Sequence, residues 1–192
     1  MKRPKQPPTP PIATDSILLH ACCAPCSCAI VETLLNIGIK PTIFYYNPNI
    51  FPLEEYERRK SECQRFADEL KLTQIDADYN RTAWQNCVKG LEAEPERGLR
   101  CLECFKCRMI YTAQYARDNN FKVFATTLAS SRWKDLAQIE QAGMLAEKIT
   151  NVKFWAYNWR KDGLQQRRND LIKQYNFYNQ QYCGCEYSIN KH

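Results

Sequence analysis

Short apolar runs alternate along this chain with longer segments patterned at helical spacing, and that alternation limits the possible folds more than any other feature. "SILLHA", residues 16–21, is a buried strand by its length and composition. "SCAIVETLLNIGIK" follows as a helix, with Ile30, Leu34, Leu35 and Ile37 on one side and Gly38 closing it. "PTIFYYNPNI" is the next strand, and Asn47-Pro48-Asn49 turns the chain at its end. The charged, amphipathic "PLEEYERRKSECQRFADELKL" predicts a second helix and "TQIDADY" a third strand. After a stretch rich in charge and turn residues (80–101), a helix resumes in "LECFKCRMIYTAQYARDNN". "FKVFATTLASSRWKDLAQIEQAGMLAEK" reads as strand, turn and helix, and "VKFWAYNW" as a last strand. Parallel neighbours need crossover connections. The pattern therefore predicts an α/β fold: a single-domain, three-layer, Rossmann-like parallel sheet with helices on both faces, spanning residues 16–192.

The preceding segment, "MKRPKQPPTPPIATD" (residues 1–15), is basic and proline-rich with no apolar core of a secretory signal, and is expected to be a disordered arm. No run approaches the roughly 18 apolar residues that a membrane helix needs. The expected location is the cytoplasm, with no membrane association. A formal charge of +6 over 192 residues is a modest positive excess compatible with nucleic-acid binding.

Eleven cysteines in such a chain do not form a disulfide framework, because cytosolic thiols are kept reduced, and the number is odd. Metal, cluster or redox chemistry is the expected use. The cysteines fall into groups. Cys22, Cys23, Cys26 and Cys28 stand where the first strand runs out, at the start of a helix. Ligands of open α/β sheets bind beyond the carboxyl ends of the strands, and helix N-termini lower thiol pKa values. Asn47, Asn49, Thr126, Thr127, Ser130 and Ser131 belong to the same end of the sheet. "GLRCLECFKCRM" adds Cys101, Cys104 and Cys107 at a repeated three-residue step, and "QQYCGCEYS" adds Cys183 and Cys185 around one glycine. Such spacings bring two sulfurs to one side of a turn, and the total exceeds what one structural zinc uses.

Other residues have plainer explanations. Cys63 and Cys87 read as ordinary half-buried residues, and Cys28 as packing inside the helix. A ligand role for Cys107 is not required once Cys101 and Cys104 are paired. His20 reads as a strand-end hydrogen bonder. Glu54 and Glu55 begin a helix, where carboxylates offset the dipole.

Six segments in order, "LLHACCAPCS", "FYYNPNIFPLEEYERR", "RCLECFKCRM", "ATTLASSRWKD", "FWAYNWRKDGLQQRRNDL" and "YNQQYCGCEYS", resemble the QueH-type epoxyqueuosine reductases from about Ile17 to Ser188. The resemblance implies reduction of epoxyqueuosine to queuosine at the wobble position of a tRNA, a two-electron removal of the epoxide oxygen carried out with iron–sulfur chemistry and without cobalamin. Carried over by position, it implies that Cys22, Cys23, Cys101 and Cys104 hold a 4Fe-4S cluster. Cys183 and Cys185 would form a redox-active pair supplied by an external low-potential electron donor, and an additional mononuclear iron would sit beside the cluster. The chain departs from the family pattern at Cys28 and Cys107, where other residues are common, and at Tyr157-Asn158, where aspartate-phenylalanine is more usual.

A two-cysteine motif around one glycine closes a small ring when oxidised, which suits turnover better than stapling. For the substrate, Asn47 and Asn49 are expected to meet the cyclopentane diol or the deazaguanine edge. Arg160, Lys161, Arg167 and Arg168, preceded by Trp155, Tyr157 and Trp159, are expected to meet an unstacked anticodon loop, with Lys2, Arg3 and Lys5 adding nonspecific attraction. Two alternatives stand beside this reading: a zinc-bearing tRNA-binding module without catalysis, and an ATP-dependent tRNA thiolase. The second lacks its Ser-Gly-Gly-x-Asp-type phosphate loop after the first strand, where "HACCAPCS" stands instead.

Overall fold

Ile17, Leu18, Leu19 and His20 have no solvent exposure, so the strand they form must lie inside a sheet covered on both faces. In the computed structural model, which describes residues 7–77 and 79–189, this is what they do. Strand β1 (Ser16–His20) pairs in parallel with β2 (Lys40–Tyr45) on one side and β4 (Val123–Thr126) on the other. The short β3 (Gln74–Asp76) extends the sheet beyond β2, and β5 (Lys153–Phe154) extends it beyond β4, giving the parallel order β3-β2-β1-β4-β5.

Helices α1 (Ala24–Asn36), α2 (Leu53–Glu69), α4 (Leu99–Asp118) and α5 (Leu136–Thr150) make the crossovers, with the short α3 (Arg81–Cys87) before α4 and α6 (Leu164–Gln174) after β5. Helix α1 packs on α2 and α6, and α4 packs on α5, so the sheet lies between two helical layers. The α/β class and parallel Rossmann-like topology expected from the alternating pattern are those observed. No helix among the described residues is long and apolar enough to cross a membrane.

Three local features differ from expectation. The last strand covers only Lys153 and Phe154, because the chain then turns tightly, with Ala156, Tyr157 and Trp159 each donating a backbone N–H to the residue two before it. Helix α6 carries no apolar stripe, with Leu171 its one buried residue, so periodicity gives no sign of it. Cys63 is fully buried and Cys87 is exposed, where both were expected to be half-buried. Of the residues read as an arm, 1–6 lie outside the described residues, Lys2, Arg3 and Lys5 among them. Ile12 packs against the core, and the Asp15 carbonyl accepts the Lys40 N–H at 2.7 Å.

The contact between α5 and β5 depends on Gly143. A Cβ there would stand 2.2 Å from Cε1 of the Phe154 ring. Gly143→Ala is expected to lower stability by roughly 1–3 kcal/mol through overpacking, and a denaturant midpoint unchanged from the parent would show that the helix can shift freely.

Candidate active site

From β1 the chain builds outward through β2 to β3, and from β4 it builds the opposite way to β5. The segments that leave β1 and β4 therefore separate, and a crevice opens at this switch point. Cys22 and Cys23 lie directly beyond β1. Cys23 is the N-cap of α1 in an extended conformation, Pro25 presets the first turn, and Ser27 Oγ donates to the Cys23 carbonyl at 2.6 Å. Cys26 follows one turn into the helix, which carries its sulfur back toward that of Cys23. From the β4 side, Thr127 Oγ1 accepts the Cys22 N–H at 3.2 Å and Ser130 Oγ donates to the Cys26 carbonyl at 3.1 Å.

The result is a buried group of three thiols. The sulfurs of Cys22, Cys23 and Cys26 all lie within 4.8 Å of one another, and those of Cys22 and Cys23 are 3.8 Å apart. Hydrogen bonds from the Cys22 and Cys23 thiols hold the Cys26 pKa well below the usual thiol value, against burial, with Lys134 and Arg168 acting in the same direction. Burial and the two neighbouring sulfurs push Cys23 well up. The group thus concentrates negative charge at Cys26. Gln180 Nε2 reaches in from the C-terminal segment to donate to Cys23 Sγ at 3.1 Å, with Cys26 Sγ at 3.8 Å. Burial penalises the Lys134 ammonium, but the Cys183, Cys22 and Cys26 thiols outweigh it and keep the group charged.

Behind the thiols lies a buried polar network. Burial, helped by the Arg108 charge, lowers the His20 pKa to about 3, so the imidazole is neutral. Its Nε2 is 3.0 Å from the Tyr46 carbonyl, which assigns the proton there, and Nδ1 accepts from Thr126 Oγ1 at 2.8 Å. His20 is the strand-end hydrogen bonder expected of it. Arg108 donates to Asn47 Oδ1 at 2.5 Å, and Asn47 Nδ2 donates to the Ala21 carbonyl at 2.9 Å. Asn47 therefore ties the loop after β2 to the first residue beyond β1.

A cavity of about 630 Å³ opens over the thiols. That volume lies within the range of small-molecule and cofactor sites. Cys22 and Cys26 line it, as do Cys101 from α4 and Cys183 and Cys185 from the C-terminal segment. The Arg97 N–H donates to Cys101 Sγ at 3.3 Å, and burial raises the Cys101 pKa to about 11. Burial and the adjacent Cys183 push Cys185 up to about 12. Cys104 is buried on the side of α4 that meets Trp84, Val88 and Cys185, outside the three-thiol group. Cys28 packs in the core, and burial raises its pKa to about 12.

The Cys183-Gly184-Cys185 segment is held in place by α2 and the loop before it. Buried Arg59 donates from Nη1 to the Cys183 carbonyl and from Nη2 to the Tyr182 carbonyl, each at 3.2 Å, while its Nε meets Glu55 Oε1 at 2.7 Å. Tyr178 donates to the other Glu55 oxygen at 2.9 Å. Glu55 thus serves this clamp as well as the dipole of α2. The Phe51 N–H donates to the Gly184 carbonyl at 2.8 Å, and Gly184 has φ +123°, a conformation open to glycine.

The expected substrate residues are placed differently from one another. Asn47 and Asn49 are buried, and neither is among the described residues that line the cavity. Arg160 donates to the Lys134 carbonyl at 2.8 Å, Arg167 pairs with Glu32 at 2.6 Å, and Lys161 is exposed. Arg168 lines the cavity while its Nε donates to the Pro25 carbonyl at 2.8 Å. Trp155 and Trp159 are buried against each other with ring centroids 5.6 Å apart, so they have no face to offer an RNA base. Cys26 stands in the first thiol group of the sequence without a ligand role, although with Cys23 it repeats the two-residue gap recognised at Cys101 and Cys104; Gln180 is not singled out by the sequence and carries no pattern of its own.

Residues 17–191 match the family described as epoxyqueuosine reductase QueH. The sequence is 50% identical over 180 residues to the epoxyqueuosine reductase QueH of Histophilus somni, covering 93% of this chain and 74% of that protein. The Haemophilus influenzae protein of the same name is 49% identical over the same shares. That of Acinetobacter baylyi is 46% identical over 190 residues, covering 98% of this chain and 87% of its own length.

Proposed function

The chain belongs to the epoxyqueuosine reductase QueH family, and from that membership we propose that it reduces epoxyqueuosine to queuosine in tRNA at the cavity above Cys22, Cys23 and Cys26. Members of this family are oxidoreductases by name. The observation that carries the reading is the convergence of three buried sulfurs within 4.8 Å at a cavity that two other thiol segments also line.

Three thiols with charged Lys134 and Arg168 nearby fit a thiolate-ligated, anionic iron–sulfur group better than a hard cation, which takes oxygen ligands. Cys22, Cys23 and Cys26 would hold such a group, with Cys101 as the further thiolate available from α4. When bound, a cluster of this kind supplies single-electron transfer at low potential. No cobalamin is invoked.

The chain's own residues do the rest. Conversion of an epoxide to an alkene takes up two electrons and two protons and releases water. Oxidation of Cys183 and Cys185 to a disulfide gives up two electrons and two protons, so the pair balances the reaction, and an external low-potential donor restores the dithiol. Lys134 keeps a positive charge in the lining, where it favours the oxygen as negative charge develops on it. Asn179, Gln165, Asn169 and Gln181 supply neutral donors and acceptors for the nucleoside. Asn47 acts one layer back, by bracing the loops.

The test is anaerobic reconstitution with iron and sulfide, metal and sulfide analysis, and incubation with epoxyqueuosine-tRNA under a low-potential reductant. Iron and sulfide retained by the protein together with queuosine formation are expected. Zinc in place of iron and unreduced tRNA would replace this reading with that of a zinc-bearing RNA-binding module.

A further inference from the structure

Trp133 is 62% exposed, more than any other large hydrophobic side chain among the described residues. Its backbone, by contrast, is pinned. The carbonyls of Trp133 and Arg132 accept from Arg97 at 2.9 and 3.1 Å, and that of Lys134 accepts from Arg160 at 2.8 Å. The Lys134 N–H closes the turn on the Ser131 carbonyl. Arginines from two other loops thus hold a turn whose one large apolar side chain points away from the core. An aromatic ring on a fixed turn has already lost the freedom that binding would otherwise remove.

The surroundings indicate what it binds. The Arg132 guanidinium lies over the indole, 4.9 Å from the ring centroid. Trp133, Arg132, Arg97 and Lys134 all border the cavity that Cys22 and Cys26 line. The same lining holds two carboxylates, Glu96 and Asp135, the second used to cap α5 through the Gln138 N–H, against the five cations Arg59, Arg97, Arg132, Lys134 and Arg168. A positively charged rim with an exposed aromatic ring suits a polyanion that presents flat faces. A duplex keeps its bases stacked, whereas a single-stranded loop can splay them onto aromatic and guanidinium planes.

We propose that Trp133, with Arg132 over its ring, is a stacking platform for a nucleobase adjoining the one that enters the cavity. The assignment rests on the reading above, in which the cavity takes a nucleoside from an RNA loop. It transfers to Trp133 and Arg132 the part that the sequence suggested for Trp155 and Trp159.

The experiment uses the full, metal-loaded protein and an anticodon stem-loop RNA, with binding read by anisotropy at fixed salt and by quenching of tryptophan emission. Trp133→Ala is expected to weaken binding about tenfold or more, with Trp133→Phe retaining most of the affinity. The emission quenched on binding is expected to disappear with Trp133, since the other three tryptophans are buried. Affinity of Trp133→Ala within about twofold of the parent overturns the assignment, as does a parent protein that binds the stem-loop no better than a duplex. Because binding is read without turnover, dependence on Trp133 with epoxyqueuosine left unreduced would sustain the platform and defeat the reductase reading.

Discussion

Replacing Cys26 with serine is expected to strip the protein of iron and to lower turnover by far more than the ~10–100-fold that follows loss of a group merely supporting a ligand. The reason is local. Cys26 is where the three-thiol group concentrates its negative charge, through hydrogen bonds from Cys22 and Cys23 and the nearby Lys134 and Arg168. A serine hydroxyl in that position accepts hydrogen bonds but is a poor ligand for soft metal centres. Cys28→Ala is the matched control. Its sulfur is equally buried, two positions further along the same helix, but packs in the core rather than in the group. It is expected to cost about 1 kcal/mol of stability and to leave the iron content unchanged. Iron and sulfide measured on the two variants decide the matter; equal loading would remove Cys26 from the ligand set.

The second large effect is expected at Arg59. Its guanidinium holds three groups at once: the Glu55 carboxylate and the carbonyls of Tyr182 and Cys183. Arg59→Ala leaves the buried Glu55 without its cation, at a cost of about 3–5 kcal/mol. It also frees the segment that presents Cys183 to the cavity. Turnover is expected to fall by roughly 100-fold, since small displacements of a reacting group carry penalties of that size. Arg59→Lys restores a charge for Glu55 but not the planar fork that reaches both carbonyls. It should recover much of the stability and little of the activity. Chemical denaturation and turnover on the two variants separate these effects. If Arg59→Lys matches the parent in turnover, the two carbonyl contacts have no part in positioning the thiols.

The sequence made the sheet legible because its central strands are buried on both faces and read as continuous apolar runs: Ile17 to Leu19 in β1, and Val123 to Ala125 in β4. Helix α6 was not legible because it buries one leucine, and the shortness of β5 was not because "VKFWAYNW" has strand composition throughout. At the site, the thiols after β1 could be placed from topology alone. The hydrogen-bond partners of the polar residues could not. Asn47 sits at the end of a strand, as a substrate contact would, yet both ends of its amide are used by Ala21 and Arg108. Trp155 and Trp159 stand beside arginines in the sequence but turn inward after β5, whereas the exposed Trp133 stands in a turn whose fixing arginines come from distant loops. Exposure is a property of the assembled fold, and neighbouring residues in the chain give little indication of it.

The clamp on the C-terminal segment also orders events in time. The sheet is complete once Phe154 has been made, but Gln180, Cys183 and Cys185 emerge from the ribosome only after α6 and the segment that follows it. For that interval the three sulfurs beyond β1 have one wall of their cavity missing. Any group that seats at these sulfurs after the segment has docked enters a cavity already bordered by Arg97, Arg132 and Trp133.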